Sequence, residues 1–134
     1  MAAFAESTRP IHVLVVEDEP LISDWVTEVL VEQGFIVSAV TNAADALQHL
    51  SSAPVDVLFT DVNLPGGMDG MVLADRARQL LPHLPVVYAS GHANLLHSPV
   101  RVPGSFFVAK PYIPALVGRL LADTVKASAE RLPA

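Results

Sequence analysis

Apolar positions along this chain follow two alternating rhythms. Ile11-His12-Val13-Leu14-Val15-Val16 is a nearly continuous β-rich run, the pattern of a central strand covered on both faces. Glu17-Asp18-Glu19 ends it, and Pro20 suits the first turn of a helix. Leu21, Ile22, Trp25, Val26, Val29 and Leu30 then recur at helical spacing, with Gly34 as a stop. Residues 35–40 read as a second strand. Asn42 caps a short helix carrying Ala43, Ala44, Ala46, Leu47 and Leu50. Pro54 breaks that helix, and residues 55–60 form a third strand with Asp61 at its C-terminal end. The loop 62–67, Val-Asn-Leu-Pro-Gly-Gly, has strong turn chemistry. Residues 71–81 return to helical spacing and are closed by Pro82 and Pro85. Residues 86–90 make a fourth strand and residues 105–109 a fifth. Leu116, Val117, Leu120, Leu121 and Val125 mark a final helix, with a frayed tail expected over 127–134.

Strands that alternate with helices predict an α/β fold of five βα units, doubly wound around a five-stranded parallel sheet. In such sheets ligands bind at the carboxyl ends of the strands, near the point where strand order reverses. Glu17 and Asp18 end the first strand, Asp61 the third, Ser90 the fourth and Lys110 the fifth. The chemistry-bearing residues therefore share one rim.

The chain of 134 residues suits one domain. It is read as residues 11–126, between an N-terminal tail (1–10) and a C-terminal tail (127–134). A hydrophobic fraction of 51% against 16% charged residues excludes a disordered chain. With no cysteine, a disulfide scaffold, a thiolate zinc site and cysteine catalysis are excluded. The net charge of −6 argues against a nucleic-acid-binding face. The N-terminus has no basic start followed by an apolar stretch, so it does not read as a secretory signal. The longest stretch free of charged side chains, 79–100, holds Pro82, Pro85 and Pro99 and would not make a membrane helix. A soluble, cytoplasmic location is expected. Charge is also uneven. Between Pro10 and Asp75 there are eleven acids and no Lys or Arg, and from Arg76 onward seven basic residues face only Asp123 and Glu130.

Acids that converge need a cation, because carboxylates a few ångströms apart do not all ionise unaided. Asp18 and Asp61 are hard oxygen ligands. With the backbone carbonyl of Asn63 and several waters they suit Mg²⁺ or Mn²⁺, and Glu17 is placed to hold a metal-bound water. Lys110 is one of only two lysines and closes an apolar strand before Pro111. Its ammonium is expected over the carboxylates, paired with a phosphoryl oxygen. Ser90 offers a hydroxyl to another such oxygen. Asp61 is then a nucleophile that forms an aspartyl-phosphate. Singly, each residue has a plainer reading: Ser90 as a turn residue, Lys110 as a solvated charge, residues 17–19 as helix N-terminal acids.

As an ordered set these stretches resemble the receiver domain of two-component response regulators over residues 11–125. The stretches are Val-Leu-Val-Val-Glu17-Asp18-Glu19-Pro20, Asp61-Val-Asn-Leu-Pro-Gly-Gly-Met-Asp-Gly70, Val-Val-Tyr-Ala-Ser90-Gly91 and Phe-Phe-Val-Ala-Lys110-Pro111-Tyr112. The resemblance implies a flavodoxin-like sheet of order 2-1-3-4-5. Asp61 is implied as phosphoacceptor from a histidine kinase or histidine phosphotransfer protein, Glu17, Asp18 and Asp61 as the Mg²⁺ site, and Lys110-Pro111 as a cis peptide. Ser90 and Phe107 take the positions of the family's switch hydroxyl and switch aromatic. Tyr88-Ala89-Ser90-Gly91-His92 is also similar to the signature of the FAT GUY subgroup, whose members include stand-alone regulators.

Pro99 and Pro103 cut short the expected fourth helix over 93–101. That puts the family's usual dimerisation face in doubt and leaves a monomer or weak dimer expected. His92 and His97 lie in this segment as surface residues. No output region follows, so the expected function is a phosphorylated signalling module without separate substrate turnover, acting on a downstream protein that the sequence does not identify. The alternatives are a small aspartyl-phosphate phosphohydrolase, which lacks a general acid because position 63 is an amide, and a pseudo-receiver that only binds.

Overall fold

The structure, a computed structural model, describes residues 9–91 and 100–131. His92, His97, Pro99 and most of the expected fourth helix lie outside the described residues, as do the ends of both tails. Five parallel strands, β1 (His12–Val16), β2 (Ile36–Val40), β3 (Val57–Asp61), β4 (Val86–Ser90) and β5 (Phe106–Ala109), form one sheet in the order β2-β1-β3-β4-β5. Four helices are described: α1 (Pro20–Glu32), α2 (Ala43–Ser52), α3 (Gly70–Leu80) and α4 (Pro114–Arg131). The parallel pairs run in register from His12 against Ile36 to Ser90 against Ala109.

Successive residues on a strand face opposite ways, and the core divides accordingly. Val13, Val15, Val57, Phe59, Val87 and Ala89 pack on the side that holds Val26 and Leu30 of α1 and Val117 and Leu121 of α4. Leu14, Val16, Leu58, Val86 and Tyr88 pack on the opposite side, against Ala46 and Leu50 of α2 and Leu73 and Ala77 of α3. Two buried faces explain why β1, β3 and β4 read as unbroken apolar runs.

Local chemistry starts and stops the helices. Asn42 accepts the Asp45 amide at 2.8 Å and Asp69 accepts the Val72 amide at 2.9 Å, each satisfying a donor left free at a helix start. Gly34 ends α1 with a φ of +100°, a conformation that disfavours residues with a Cβ.

Besides shifts of one or two residues at the bounds of β2, β3 and α3, the elements depart from the sequence reading as follows. The apolar stripe of α1 is wider than its buried face: Val26 and Leu30 are buried, but Leu21 is 84% and Trp25 53% exposed. β5 begins at Phe106, not 105, because the Ser105 hydroxyl turns back to donate to the Val102 carbonyl at 2.6 Å. The last helix runs to Arg131, past the expected domain end at 126, so residues 127–131 continue the helix instead of fraying. Ser128 anchors that extension by donating to the His83 carbonyl at 3.2 Å.

Candidate functional site

Strand parity builds the site. Glu17 follows β1 and Asp61 ends β3 on the parity of Val15 and Phe59, the α1/α4 side. Lys110 follows β5 on the parity of Val108, which packs on that same side. The three side chains meet at the carboxyl rim. The Lys110 ammonium lies 3.0 Å from Asp61 Oδ2 and 3.5 Å from Glu17 Oε1. Glu17 is 3% and Asp61 7% exposed, so the ion pairs are largely removed from water and act at lower dielectric than surface pairs. Asp18 is exposed, yet one carboxylate oxygen each from Glu17, Asp18 and Asp61 lie within 4.8 Å of one another. Three hard oxygen donors that close fit a small divalent cation of the Mg²⁺ type.

Backbone contacts hold these groups in place. The Glu19 amide donates to Glu17 Oε2 at 3.1 Å. The Lys110 amide donates to the Ser90 carbonyl at 2.9 Å, fixing β5 against the end of β4, and the Lys110–Pro111 peptide is cis. Burial raises the Glu17 carboxyl above its ordinary value, although the Glu19 amide and the Lys110 charge pull the other way. Burial pushes Lys110 down, but its hydrogen bond to Asp61 and the acidic charges around it outweigh that and leave it raised. Burial, reinforced by the charges of Glu17 and Asp61, also raises the Tyr112 phenol.

Ser90 is buried at the end of β4. Asn63 sits exposed on the loop beyond β3. Phe107 is half-buried on β5, stacked on Tyr88 with ring centroids 4.8 Å apart. Beside Lys110, the side chains of Ile22, Trp25, Pro111 and Tyr112 line a cavity of about 290 Å³.

Sequence reasoning quoted Gly70 as the end of the Asp61 stretch but gave it no role. A Cβ there would stand 2.1 Å from the Asp61 carbonyl oxygen and 3.0 Å from the Val62 Cα. The missing side chain lets α3 approach the backbone of Asp61, and the Gly70 amide donates to the Val62 carbonyl at 2.7 Å. The only signal in the sequence is a glycine directly after the capping Asp69. Tyr112 was likewise quoted without a role. Its ring meets Phe59 edge-on at 5.5 Å, two residues before Asp61 on β3.

An open, doubly wound sheet whose carboxyl rim joins three acids to one lysine defines a class, the flavodoxin-like α/β domains with an acidic rim pocket. Within it, the family model of the response regulator receiver domain matches residues 13–117, and the chain belongs to that family. It is 32% identical over 103 residues to the nitrogen assimilation regulatory protein NtrX of Azorhizobium caulinodans, an alignment covering 75% of this chain and 23% of that protein. It is 38% identical over 84 residues to the DNA-binding transcriptional regulator NtrC of Escherichia coli, covering 62% of this chain and 18% of that protein. The chain thus corresponds to a minor part of each of these relatives. The crystal structure of a response regulator receiver protein from Sinorhizobium medicae superposes with a TM-score of 0.83 at 31% identity, covering 90% of this chain and 98% of that one.

Proposed function

We propose that the domain takes a phosphoryl group onto Asp61 from the phosphohistidine of a histidine kinase or histidine phosphotransfer protein and signals through protein contacts. The observation that carries this reading is the Lys110 ammonium at 3.0 Å from Asp61 Oδ2, above a cluster of three acids. An Asp61 carboxylate oxygen attacks phosphorus as the bond to the donor's imidazole nitrogen breaks; the donor ring, protonated on its other nitrogen, leaves as neutral imidazole and Asp61 becomes an acyl phosphate. Lys110 pairs with a phosphoryl oxygen, and Ser90 supplies a hydroxyl at the same rim. Glu17, Asp18, Asp61 and the Asn63 carbonyl would hold Mg²⁺ or Mn²⁺. When bound, that ion neutralises charge gathering on the transferred group. The cavity beside Lys110 offers apolar side chains of the donor protein a seat next to the acceptor.

Incubation with acetyl phosphate and Mg²⁺ tests the reading by intact mass. We expect wild type to gain one phosphoryl group and Asp61→Asn none. Equal labelling of both would remove the acceptor.

A further inference from the structure

Tyr88 lies on β4 two residues before Ser90, and by strand alternation the two side chains share the α2/α3 face. Tyr88 is fully buried. Its ring stacks on Phe107 at 4.8 Å and 30°, and its hydroxyl accepts the Val102 amide at 3.1 Å. Residues 101–105 are tied back to the same pair of rings. The Ser105 hydroxyl donates to the Val102 carbonyl at 2.6 Å and accepts from Arg101 Nε at 3.1 Å. The Arg101 guanidinium also donates to the Ser105 carbonyl and lies 5.1 Å over the face of Phe107, a favourable placement for a cation.

We propose that Tyr88 couples the Asp61 pocket to the connection 100–105. Its hydroxyl holds the Val102 amide, and its ring lies stacked on that of Phe107. The inference rests on phosphorylation of Asp61. A Ser90 hydroxyl drawn toward a phosphoryl oxygen moves the end of β4. Tyr88 is packed on all sides, so a small shift of its strand is transmitted to the hydroxyl at the far end of a rigid ring. Val102 is buried, and a buried amide that loses its acceptor keeps the full penalty of desolvation. The connection therefore answers by rearranging between two arrangements, not by stretching one bond. Phe107 stays half-buried under Arg101 in this scheme, and the 100–105 segment, with the Arg101 guanidinium at its start, is the part whose shape an output partner reads.

Amide hydrogen exchange over 100–105, with and without Mg²⁺ and beryllofluoride as a stable phosphoryl mimic, tests the coupling in wild type, Tyr88→Phe and Phe107→Leu. In wild type the mimic is expected to change exchange at Val102 by about fivefold or more, the worth of one net hydrogen bond. Tyr88→Phe keeps the ring stack and loses the acceptor. Its Val102 amide is expected to exchange about fivefold faster before any mimic is added, with no further response, while acetyl phosphate still labels Asp61. Phe107→Leu is expected to respond as wild type does. A Tyr88→Phe protein that responds like wild type, or a Phe107→Leu protein that loses the response, overturns the proposal. Absence of labelling at Asp61 would instead sink the phosphoacceptor reading. Even then, equal Val102 exchange in the free wild-type and Tyr88→Phe proteins would overturn the latch by itself.

Discussion

Replacing Gly70 by Ala tests how the acceptor is held, because the perturbation is a single methyl group. The new Cβ would stand 2.1 Å from the Asp61 carbonyl oxygen and 3.0 Å from both its carbonyl carbon and the Val62 Cα. Favourable contacts between heavy atoms begin near 3.5 Å, so about 1.4 Å of movement is required, and the three nearest obstructing atoms are all backbone. The Asp61 carbonyl is also fixed from its other side by the Thr60 hydroxyl, which donates to it at 2.9 Å. Overpacking of this kind costs about 1–3 kcal/mol. Strain on the 2.7 Å bond from the Gly70 amide to Val62 adds up to about 1 kcal/mol, and the better helix propensity of alanine returns at most about the same. A net loss of about 2 kcal/mol lowers the melting temperature of a domain this size by about 8 °C. Displacing the acceptor by a fraction of an ångström slows labelling by about 10- to 100-fold. Gly91→Ala is the control, since a Cβ at Gly91 meets nothing within 4 Å, and it should melt with the wild type. Thermal unfolding by circular dichroism and intact-mass labelling read both effects. If Gly70→Ala melts and labels together with wild type and Gly91→Ala, the close approach of α3 to Asp61 does not position the acceptor.

Lys110→Ala should slow labelling by acetyl phosphate about 100-fold or more, as removal of a preorganised charge-stabilising donor does; an unchanged rate excludes Lys110 from the transfer. Glu17→Gln separates the cost of a buried charge from its use. The Glu17 carboxyl is raised, chiefly by burial, above its ordinary 4.5, so its contribution to stability is complete below that value and is lost as pH rises through the raised one. Glu17→Gln should abolish this loss, its melting temperature gaining on wild type from pH 4.5 toward neutrality, while Mg²⁺ binds more weakly by calorimetry; a difference that shrinks with pH contradicts the sign. Trp25→Ala, at an exposed ring lining the cavity beside Lys110, should lower the rate of transfer from a phosphorylated histidine-bearing donor protein about tenfold or more and leave labelling by acetyl phosphate unchanged; equal effects on both donors would deny the cavity a role in docking.

The sheet was legible because burial on both faces writes itself into β1, β3 and β4 as the apolar runs Val-Leu-Val-Val, Val-Leu-Phe and Val-Val-Tyr-Ala. The shared rim was legible because Glu17, Asp61, Ser90 and Lys110 each close an apolar run. Features that depend on two distant segments meeting were not. Gly70 looks like any glycine after a capping aspartate until the Asp61 carbonyl is placed against it. Helical periodicity marks Leu21 and Trp25 as apolar without telling whether a neighbour covers them, and among the described residues Leu21 is left 84% and Trp25 53% exposed. The extension of α4 to Arg131 hangs on Ser128 reaching the His83 carbonyl across 45 residues of sequence. The hydroxyl of Tyr88 has its partner in Val102, 14 residues away, whereas its ring alone would pass for ordinary core.

The adjacent acids at 17 and 18 differ in exposure, Glu17 buried and Asp18 exposed, although their carboxylates converge with that of Asp61. Glu17 is pinned at one oxygen by the Glu19 amide, and its other oxygen stands 3.5 Å from Lys110. That second contact has a consequence for the proposed transfer. Once Asp61 becomes an acyl phosphate, the oxygen that Lys110 pairs with carries no carboxylate charge, and the phosphoryl group brings its own anionic oxygens to the ammonium. The Glu17 carboxyl stands beside the ammonium as a second partner, so in the proposed transfer Lys110 keeps that contact and exchanges only Asp61 Oδ2 for a phosphoryl oxygen. In the proposed transfer Glu17 would therefore serve Lys110 as well as a bound cation, and the cost of its burial accompanies that second contact.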